Sequence, residues 1–304
     1  MGKLQYIEKK FAQPTLDLIE VANAIIEEYA GQGFDLTLRQ LFYQFVSRGY
    51  IANTEASYKR VGDVMSDARR AGLIDWFAIV DRTRFVRSLS HWNDARAVMI
   101  SALKGFHTDK WKAQPCRPEV WIEKDALVGV IQGVCQKWDV PYFSCRGYVS
   151  DSEMWRASMR FYSRKSNGQN PVVIHLGDHD PSGLDMTRDI EDRLRLFTFG
   201  QIGDVRRVAL NYDQVELYNP PPNPAKLTDS RCQEYIAEHG EYSWELDALS
   251  PPVLAKIIED TILSLLDQEK WAEAVAVEDR YKAQLSSAID RWEEIAGDGG
   301  ERES

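Results

Sequence analysis

The sequence predicts an α/β protein in two parts. The first part is three helices and a small β-hairpin, and the second is a mostly parallel sheet with a helical C-terminal extension. Two observations lead to this prediction: apolar residues recur at helical spacing in three early segments, and strand-like and helix-like segments alternate after Pro118. We place the domains at 1–112 and 113–304, because the segment between His107 and Pro118 has the composition of a linker.

Three helices are predicted at residues 14–30, 38–48 and 55–70, since a glycine follows each apolar-periodic segment and Thr37 is a good N-cap for the second. Residues 77–86 then read as two short strands around Asp81-Arg82-Thr83. Three helices followed by a hairpin are typical of a winged-helix domain, in which the third helix enters the major groove of DNA and the wing contacts the backbone.

The charge distribution also favours a nucleic-acid partner. The net charge is -10, yet residues 36–117 contain 14 Lys and Arg against 7 Asp and Glu. A basic block inside an acidic protein is expected where phosphates are bound, although ordinary surface arginines on a helical domain would also produce it. The predicted DNA-binding residues are Lys59, Arg60, Arg69, Arg70, Arg82, Arg84, Arg87 and Lys124.

Several other classes of protein are disfavoured. Hydrophobic residues make up 44% of the chain and charged residues 28%, which predicts a packed core rather than disorder. No apolar run approaches the roughly 18 residues that span a bilayer, and the N-terminus lacks the apolar stretch of a signal peptide. We therefore expect a cytoplasmic protein without a membrane partner. The four cysteines include no C-x-x-C pair, so we expect buried thiols rather than a zinc site.

Two predicted strands of the second part end in acidic residues. Glu123 follows Val120-Trp-Ile, and Asp178-His-Asp180 follows the strand that begins at Val172. Sites form at the carboxyl ends of parallel strands, and alternation lets both aspartates point the same way. We expect Pro181 and Gly183 to prevent an immediate helix and to force a turn that displays the acids. Glu123, Asp178 and Asp180 are therefore the predicted ligands of Mg²⁺, or of Mn²⁺.

Simpler interpretations of these residues remain open. Glu123 could pair with Lys124 or with a surface arginine, and Asp180 could merely begin a turn before Pro181. His175 and His179 have a spacing found in zinc sites, but they span a strand and a turn rather than one helix face.

A glutamate after one strand and Asp-x-Asp after a later one resembles the toprim domain of topoisomerases, primases and several nucleases. Residues 122–127, 146–148 and 177–186 look like the A subunit of topoisomerase VI and its relative, the meiotic double-strand-break protein. Residues 224–229 and 244–249 look like C-terminal segments of the same group. Thr37-Leu-Arg-Gln-Leu-Phe-Tyr43 is similar to that group's Thr-x-Arg-x-x-(Phe/Tyr)-Tyr pattern. In its length, and in the lack of an ATPase motif, the chain resembles the stand-alone, shortened members called Mini-A.

The resemblance implies a mechanism. Tyr43 would attack the DNA backbone and form a 5′-phosphotyrosyl link, Arg39 would bind the scissile phosphate, and Glu123 with the two aspartates would hold the metal. In that group the tyrosine and the metal come from different protomers, which implies a homodimer that cuts both strands of double-stranded DNA. Strand passage would need a separate ATPase or regulatory partner. Two departures are Gln40, where the group has an acid, and residues 150–156, where it has Thr-Arg.

Two alternatives to transesterification stay open. Phe42, Tyr43 and Phe45 also have the pattern of a core stripe, in which case a metal-bound water would attack and the protein would be a hydrolytic toprim nuclease. The chain could also be a DNA-binding regulator that keeps the toprim scaffold without catalysis.

Overall fold

The computed structural model describes residues 3–80, 89–201, 203–225 and 231–292. They form two compact units, one made of Met1–Arg84 with Pro118–Ser264 and the other of Phe85–Arg117 with Leu265–Ser304. The units are groups of residues that pack closely together. The predicted domain boundary between residues 112 and 113 stays a prediction. Within the described ranges, none of the helices has both the length and the apolar character needed to cross a bilayer.

The first unit begins with three predicted helices, α1 (Gln13–Gly31), α2 (Leu38–Ser47) and α3 (Glu55–Arg70). Thr37 caps α2 as expected. Its backbone N–H donates to Gln40 Oε1 at 2.8 Å, while its own hydroxyl oxygen accepts from the Gln40 N–H. Gln40 is therefore used in a capping box. The apolar faces of the three helices bury a common core, whose fully enclosed members include Ile25, Leu41, Phe45 and Met65.

The predicted hairpin after these helices is only partly described, because residues 81–88 lie outside the described ranges. The Phe77 N–H donates to Asp75 Oδ1 at 2.8 Å, which makes a turn where the first strand was expected. Ile79 alone forms a β-bridge, with Leu36. The expected strand at residues 77–80 is thus a turn and a single bridge, and the winged-helix assignment stays a prediction.

The predicted parallel sheet is confirmed. It contains β1 (Cys116–Ile122), β2 (Tyr142–Ser144), β3 (Asn170–Leu176) and β4 (Asp204–Ala209), in the order β2-β1-β3-β4. β1 pairs with β2 and β3 pairs with β4, each in parallel. Between the strands run the helices α5 (Val128–Lys137), α6 (Asp151–Ser166) and α7 (Pro181–Phe197), with a 3₁₀ turn at Asp125–Leu127 before α5. β1 and β3 are nearly continuous runs of buried residues, as expected of central parallel strands.

The start of α7 corrects one expectation. The helix begins directly at Pro181, whereas Pro181 and Gly183 were expected to prevent an immediate helix. Proline is favourable at the first helical position because the N–H that it lacks would have no partner there. Asp180 is the N-cap, and its Oδ1 accepts from the Gly183 N–H at 2.7 Å. The two aspartates of Asp178-His-Asp180 therefore have different partners.

The chain then returns to the acidic end of the sheet. After α8 (Tyr212–Tyr218), the short strands β5 (Asn223–Pro224) and β6 (Tyr242–Ser243) pair antiparallel on either side of α9 (Cys232–His239). Trp244 exchanges two backbone hydrogen bonds with His179, at 2.8 and 2.9 Å. This bridge brings the 3₁₀ turn Leu246–Ala248 beside the Asp178 loop, and α10 (Pro251–Leu265) follows.

The second unit is a helical pair. α4 (Ala95–Lys104) packs on α11 (Gln268–Asp290), and the rings of Trp111 and Trp271 lie 5.8 Å apart. α4 begins after Asp94, whose side chain caps it by accepting from the Ala97 N–H at 2.7 Å. All four cysteines are free thiols. Cys135, Cys145 and Cys232 are buried, as predicted, whereas Cys116 is partly exposed.

Candidate functional site

Two predicted metal ligands meet at the carboxyl ends of neighbouring strands. Glu123 follows β1 and Asp178 follows β3, with only Gly177 between the strand and the aspartate. The Asp178 N–H donates to Glu123 Oε2 at 2.8 Å, and the Glu123 N–H donates to the Leu176 carbonyl at 2.8 Å. The alternation of strands and helices therefore places both carboxylates at one edge of the sheet, as expected.

Lys124 lies at the centre of a carboxylate cluster. Its Nζ is 2.9 Å from Asp178 Oδ1, 2.9 Å from Glu245 Oε2 and 3.1 Å from Asp247 Oδ2. Burial alone would lower the pKa of Lys124, but the charges of the three carboxylates raise it above its usual value. The ammonium is an internal counter-charge, so the predicted DNA contact at Lys124 would require these ion pairs to exchange.

Arg39 shares two of the same carboxylates. Its Nε is 2.9 Å from Asp247 Oδ2, and its Nη2 pairs with Glu245 Oε2. Burial would raise the pKa of Glu245. The positive charges of Lys124 and Arg39 have the larger effect and lower the pKa of this carboxyl to about 2. Glu245 and Asp247 were not predicted as site residues, and their only sequence signal is the resemblance of residues 244–249.

Tyr43 is close to this cluster but buried. Its side chain is 3% exposed and packs edge-on against Phe42 with ring centroids 5.4 Å apart, while Arg39 Cζ lies 5.7 Å from the Tyr43 ring. Burial and the charge of Glu245 raise the pKa of Tyr43 to about 12, although Arg39 and a hydrogen bond with Asn223 oppose the shift. The phenol is therefore protonated at neutral pH.

A cleft borders the Tyr43 side chain. Its volume is about 330 Å³. The cleft is lined by residues of α2, of the start of α3 and of the C-terminal segments, among them Arg39, Tyr43, Asn53, Tyr58, Asn223 and Glu245. Asn53 Nδ2 donates to Asn223 Oδ1 at 2.7 Å, which ties the two walls together.

Glu123 and Asp178 suit a magnesium ion. Burial raises the pKa of both carboxyls. The charge of Asp180 adds to the shift at Glu123 and the charge of Glu123 adds to it at Asp178, while Lys124 opposes both shifts. Crowded carboxylates of this kind are stabilised by an added cation, and Mg²⁺ is usually held by one or two carboxylates with waters and substrate phosphates. In the described ranges, however, no three His, Cys, Asp or Glu side chains form a ready-made ligand group. Asp180 is used as a helix cap.

Arg207, in β4, holds the loop that carries these acids. Its guanidinium donates to the carbonyls of Gly177 (3.0 Å), Asp178 (2.5 Å) and Gly183 (2.8 Å). Burial lowers the pKa of Arg207 to about 10, and the charges of Glu123 and Asp178 partly restore it. Sequence reasoning missed Arg207, because it is one of three charged residues in β4 and nothing in the sequence separates it from Asp204 and Arg206.

The two histidines of the H-x3-H spacing have separate roles. His175 is fully buried, its Nδ1 lies 2.8 Å from Thr187 Oγ1, and burial lowers its pKa to about 3. The Nδ1 of His179 lies 2.9 Å from Tyr235 Oη, and burial lowers its pKa to about 4. The structure thus gives the histidines different partners rather than a shared ligand site.

The predicted DNA-binding residues on α3 divide into two groups. Lys59, Arg60 and Arg70 are exposed, and Lys59 makes only a surface pair with Glu55 at 2.8 Å among the described residues. Arg69 instead donates to the carbonyls of Trp76 and Ile79, so it stabilises the turn that follows the helix. The other three, Arg82, Arg84 and Arg87, lie outside the described residues.

Comparisons with known proteins add no family assignment. A scan against protein-family models finds no match, and a search of curated proteins finds no significant relative. The site must therefore be interpreted from its own geometry.

Proposed function

We propose that this protein cleaves the backbone of double-stranded DNA in a Mg²⁺-dependent reaction with Tyr43 as the nucleophile. The observation that carries the proposal is the contact between Glu123 and Asp178 at the ends of adjacent strands, next to the Arg39–Tyr43 pair. Catalysis of phosphoryl transfer needs positive charge near the phosphate oxygens and a nucleophile close to them, and this arrangement brings Arg39, Tyr43 and the two acids into one region.

Each side chain has a defined task in this proposal. Glu123 and Asp178 would hold Mg²⁺, which supplies Lewis-acid charge to the phosphate when it is bound. The Arg39 guanidinium already makes two ion pairs at this place, so a phosphate could replace a carboxylate there with similar geometry. In this reaction the Tyr43 oxygen would bond to the phosphorus and the 3′-oxygen of the neighbouring nucleotide would leave. Tyr43 must also lose its proton. Burial and the charge of Glu245 raise its pKa, so the positive charge of Arg39 is the nearby influence that favours deprotonation.

The proposed partners follow the same reasoning. Lys59, Arg60 and Arg70 provide an exposed basic face on α3 for the DNA backbone. A homodimer would allow both strands to be cut, and strand passage would require a separate ATPase. We propose a toprim-type role for the sheet because Glu123 and Asp178 follow the carboxyl ends of two adjacent parallel strands.

A second candidate is hydrolysis by a metal-bound water. The buried state of Tyr43 favours it, since Tyr43 is only 3% exposed and its phenol, with a pKa of about 12, is a poor nucleophile in this conformation. Glu123 and Asp178 would keep their metal-binding role in that reaction, and Tyr43 would only pack in the core.

The experiment that separates the two candidates uses supercoiled plasmid with Mg²⁺, followed by denaturation with and without protease. Transesterification leaves labelled DNA attached to the protein, and Tyr43→Phe abolishes cutting while the fold is kept. Tyr58→Phe is the matched control, because Tyr58 lines the same cleft and has no proposed role. Full cutting by Tyr43→Phe, with no attached DNA in the wild type, would leave the hydrolytic reaction as the explanation.

The metal assignment has its own test. Asp178→Asn is expected to abolish cutting, whereas Asp192→Asn, an exposed aspartate paired with Arg188 at 2.6 Å, should leave it unchanged. Cutting that persists in EDTA and in Asp178→Asn would overturn the proposal that these carboxylates hold a catalytic metal.

A further inference from the structure

A continuous series of contacts joins Tyr43 to Asp178 within one chain. The Tyr43 ring lies against Arg39, and Arg39 pairs with Glu245 and Asp247. The same two carboxylates pair with Lys124, and Lys124 pairs with Asp178. Both sides of the proposed reaction centre are therefore connected through the segment Glu245-Leu-Asp247, which contacts each of them.

We propose that Glu245 and Asp247 are positioning residues that assemble the tyrosine side and the metal side of the site within a single chain. The inference rests on the proposed function, and it concerns how that site is built. It departs from the arrangement that the sequence resemblance implies, in which the two sides come from different protomers. A homodimer would then carry two sites, each complete in one chain.

The segment is held firmly on both sides. Trp244, just before it, exchanges two hydrogen bonds with His179, and the Leu246 N–H donates to Asp178 Oδ1 at 2.8 Å. On the other side, the turn Leu246–Ala248 packs on α2, and Ala248 belongs to the core of the N-terminal helices. A displacement of α2 away from the acids would thus break core packing as well as ion pairs.

Asp247 adds a specific observation. Its side chain is almost completely buried, and Oδ2 is shared by Arg39 and Lys124, while Oδ1 has no hydrogen-bond partner among the described residues. A buried carboxylate is stable only when cations compensate it, so Asp247 requires both Arg39 and Lys124 to be in place. This requirement couples the position of α2 to the position of Lys124, the residue next to the metal ligand Glu123.

The first test is complementation between two inactive variants. Tyr43→Phe and Asp178→Asn are mixed under conditions that exchange subunits, and nicking of supercoiled plasmid is measured. If each site is complete in one chain, both subunits of a mixed dimer are defective, and the mixture cuts no more than the separate variants. Recovered nicking in the mixture would show that tyrosine and metal come from different chains and would overturn the inference.

The second test is independent of metal and of DNA cleavage. The melting temperatures of Arg39→Gln, Glu245→Gln and the double variant are compared without DNA or Mg²⁺, over a hundredfold dilution. A contact within one chain predicts that the double variant loses less than the sum of the single losses, equally at every concentration. Arg48→Gln with Glu28→Gln is the matched control, because this pair joins α1 and α2 at 2.8 Å. Additive losses, or a coupling that disappears on dilution, would overturn the inference.

A third measurement distinguishes positioning from a merely structural role. If Glu245 acts by holding Arg39, then Glu245→Gln lowers the cleavage rate, and adding Arg39→Gln lowers it little further. If the two substitutions instead lower the cleavage rate by separate factors that multiply in the double variant, this role is contradicted. If the wild type does not cut DNA at all, the proposed function fails, whereas the melting-temperature coupling still decides whether the contact lies within one chain.

Discussion

Gly183 is the position at which the structure leaves least room for a side chain near the site. It lies in the first turn of α7, and its N–H donates to Asp180. A Cβ on Gly183 would lie 2.2 Å from the Asp178 carbonyl oxygen, and 3.0 and 3.1 Å from the Asp178 carbonyl carbon and nitrogen. These are backbone atoms, so they cannot move aside by a side-chain rotation, and Arg207 holds the same carbonyl in place.

Gly183→Ala is therefore expected to destabilise the protein. Overpacking of a rigid site typically costs about 1–3 kcal/mol, and a clash with backbone belongs near the upper end. The better helix propensity of alanine returns roughly 1 kcal/mol at most, so we expect a net loss of about 2 kcal/mol. Gly133→Ala is the matched control, since Gly133 lies in α5, is exposed, and a Cβ added to it would meet no described atom within 4 Å. It should stabilise by roughly 0.5–1 kcal/mol.

Urea unfolding of the two alanine variants measures both changes, and plasmid cleavage follows the consequence for the site. Displacement of the Asp178 loop should reduce Mg²⁺-dependent cutting in Gly183→Ala and leave it intact in Gly133→Ala. A Gly183→Ala variant with wild-type stability and wild-type cutting would refute the close packing between α7 and the Asp178 loop.

Three further predictions concern His175, Arg207 and the exposed basic residues of α3. His175 has a folded pKa of about 3, below its ordinary 6.5, so its contribution to stability is complete above pH 6.5 and is lost as the pH falls towards 3. Urea unfolding at pH 7 and 5 should show a loss of up to about 1.4 kcal/mol per pH unit that His175→Gln lacks. Arg207→Lys keeps the charge, but a lysine cannot reach all the carbonyls that Arg207 binds. The Mg²⁺ concentration for half-maximal cutting should therefore rise several-fold in a metal titration. An unchanged concentration would count against the positioning of the loop by Arg207. DNA affinity should fall steeply with salt. In a binding titration, Lys59→Ala should reduce the slope of log K, the DNA-binding constant, against log salt concentration by about 1. An unchanged slope would show that Lys59 does not contact a phosphate.

The sequence predicted those parts of the molecule that depend on neighbouring residues. Helical periodicity and the Thr37 cap located α1 to α3, and the alternation of apolar strands with helices predicted the parallel sheet. The acids at strand ends followed from the same local pattern, because parallel neighbours bring their carboxyl ends to one edge. Even the error at Pro181 was local, since proline can either end a helix or begin one.

The tertiary structure alone decided how the site is electrostatically balanced. Arg39 and Asp247 are 208 residues apart in the chain, and Lys124 and Glu245 are 121 residues apart. No periodicity relates such positions, so a lysine beside a predicted ligand looked like a DNA contact, and Arg207 could not be told from its neighbour Arg206 in β4. The free energy of a charge depends on its distance to every other charge and on its burial, and both quantities exist only after the chain has folded.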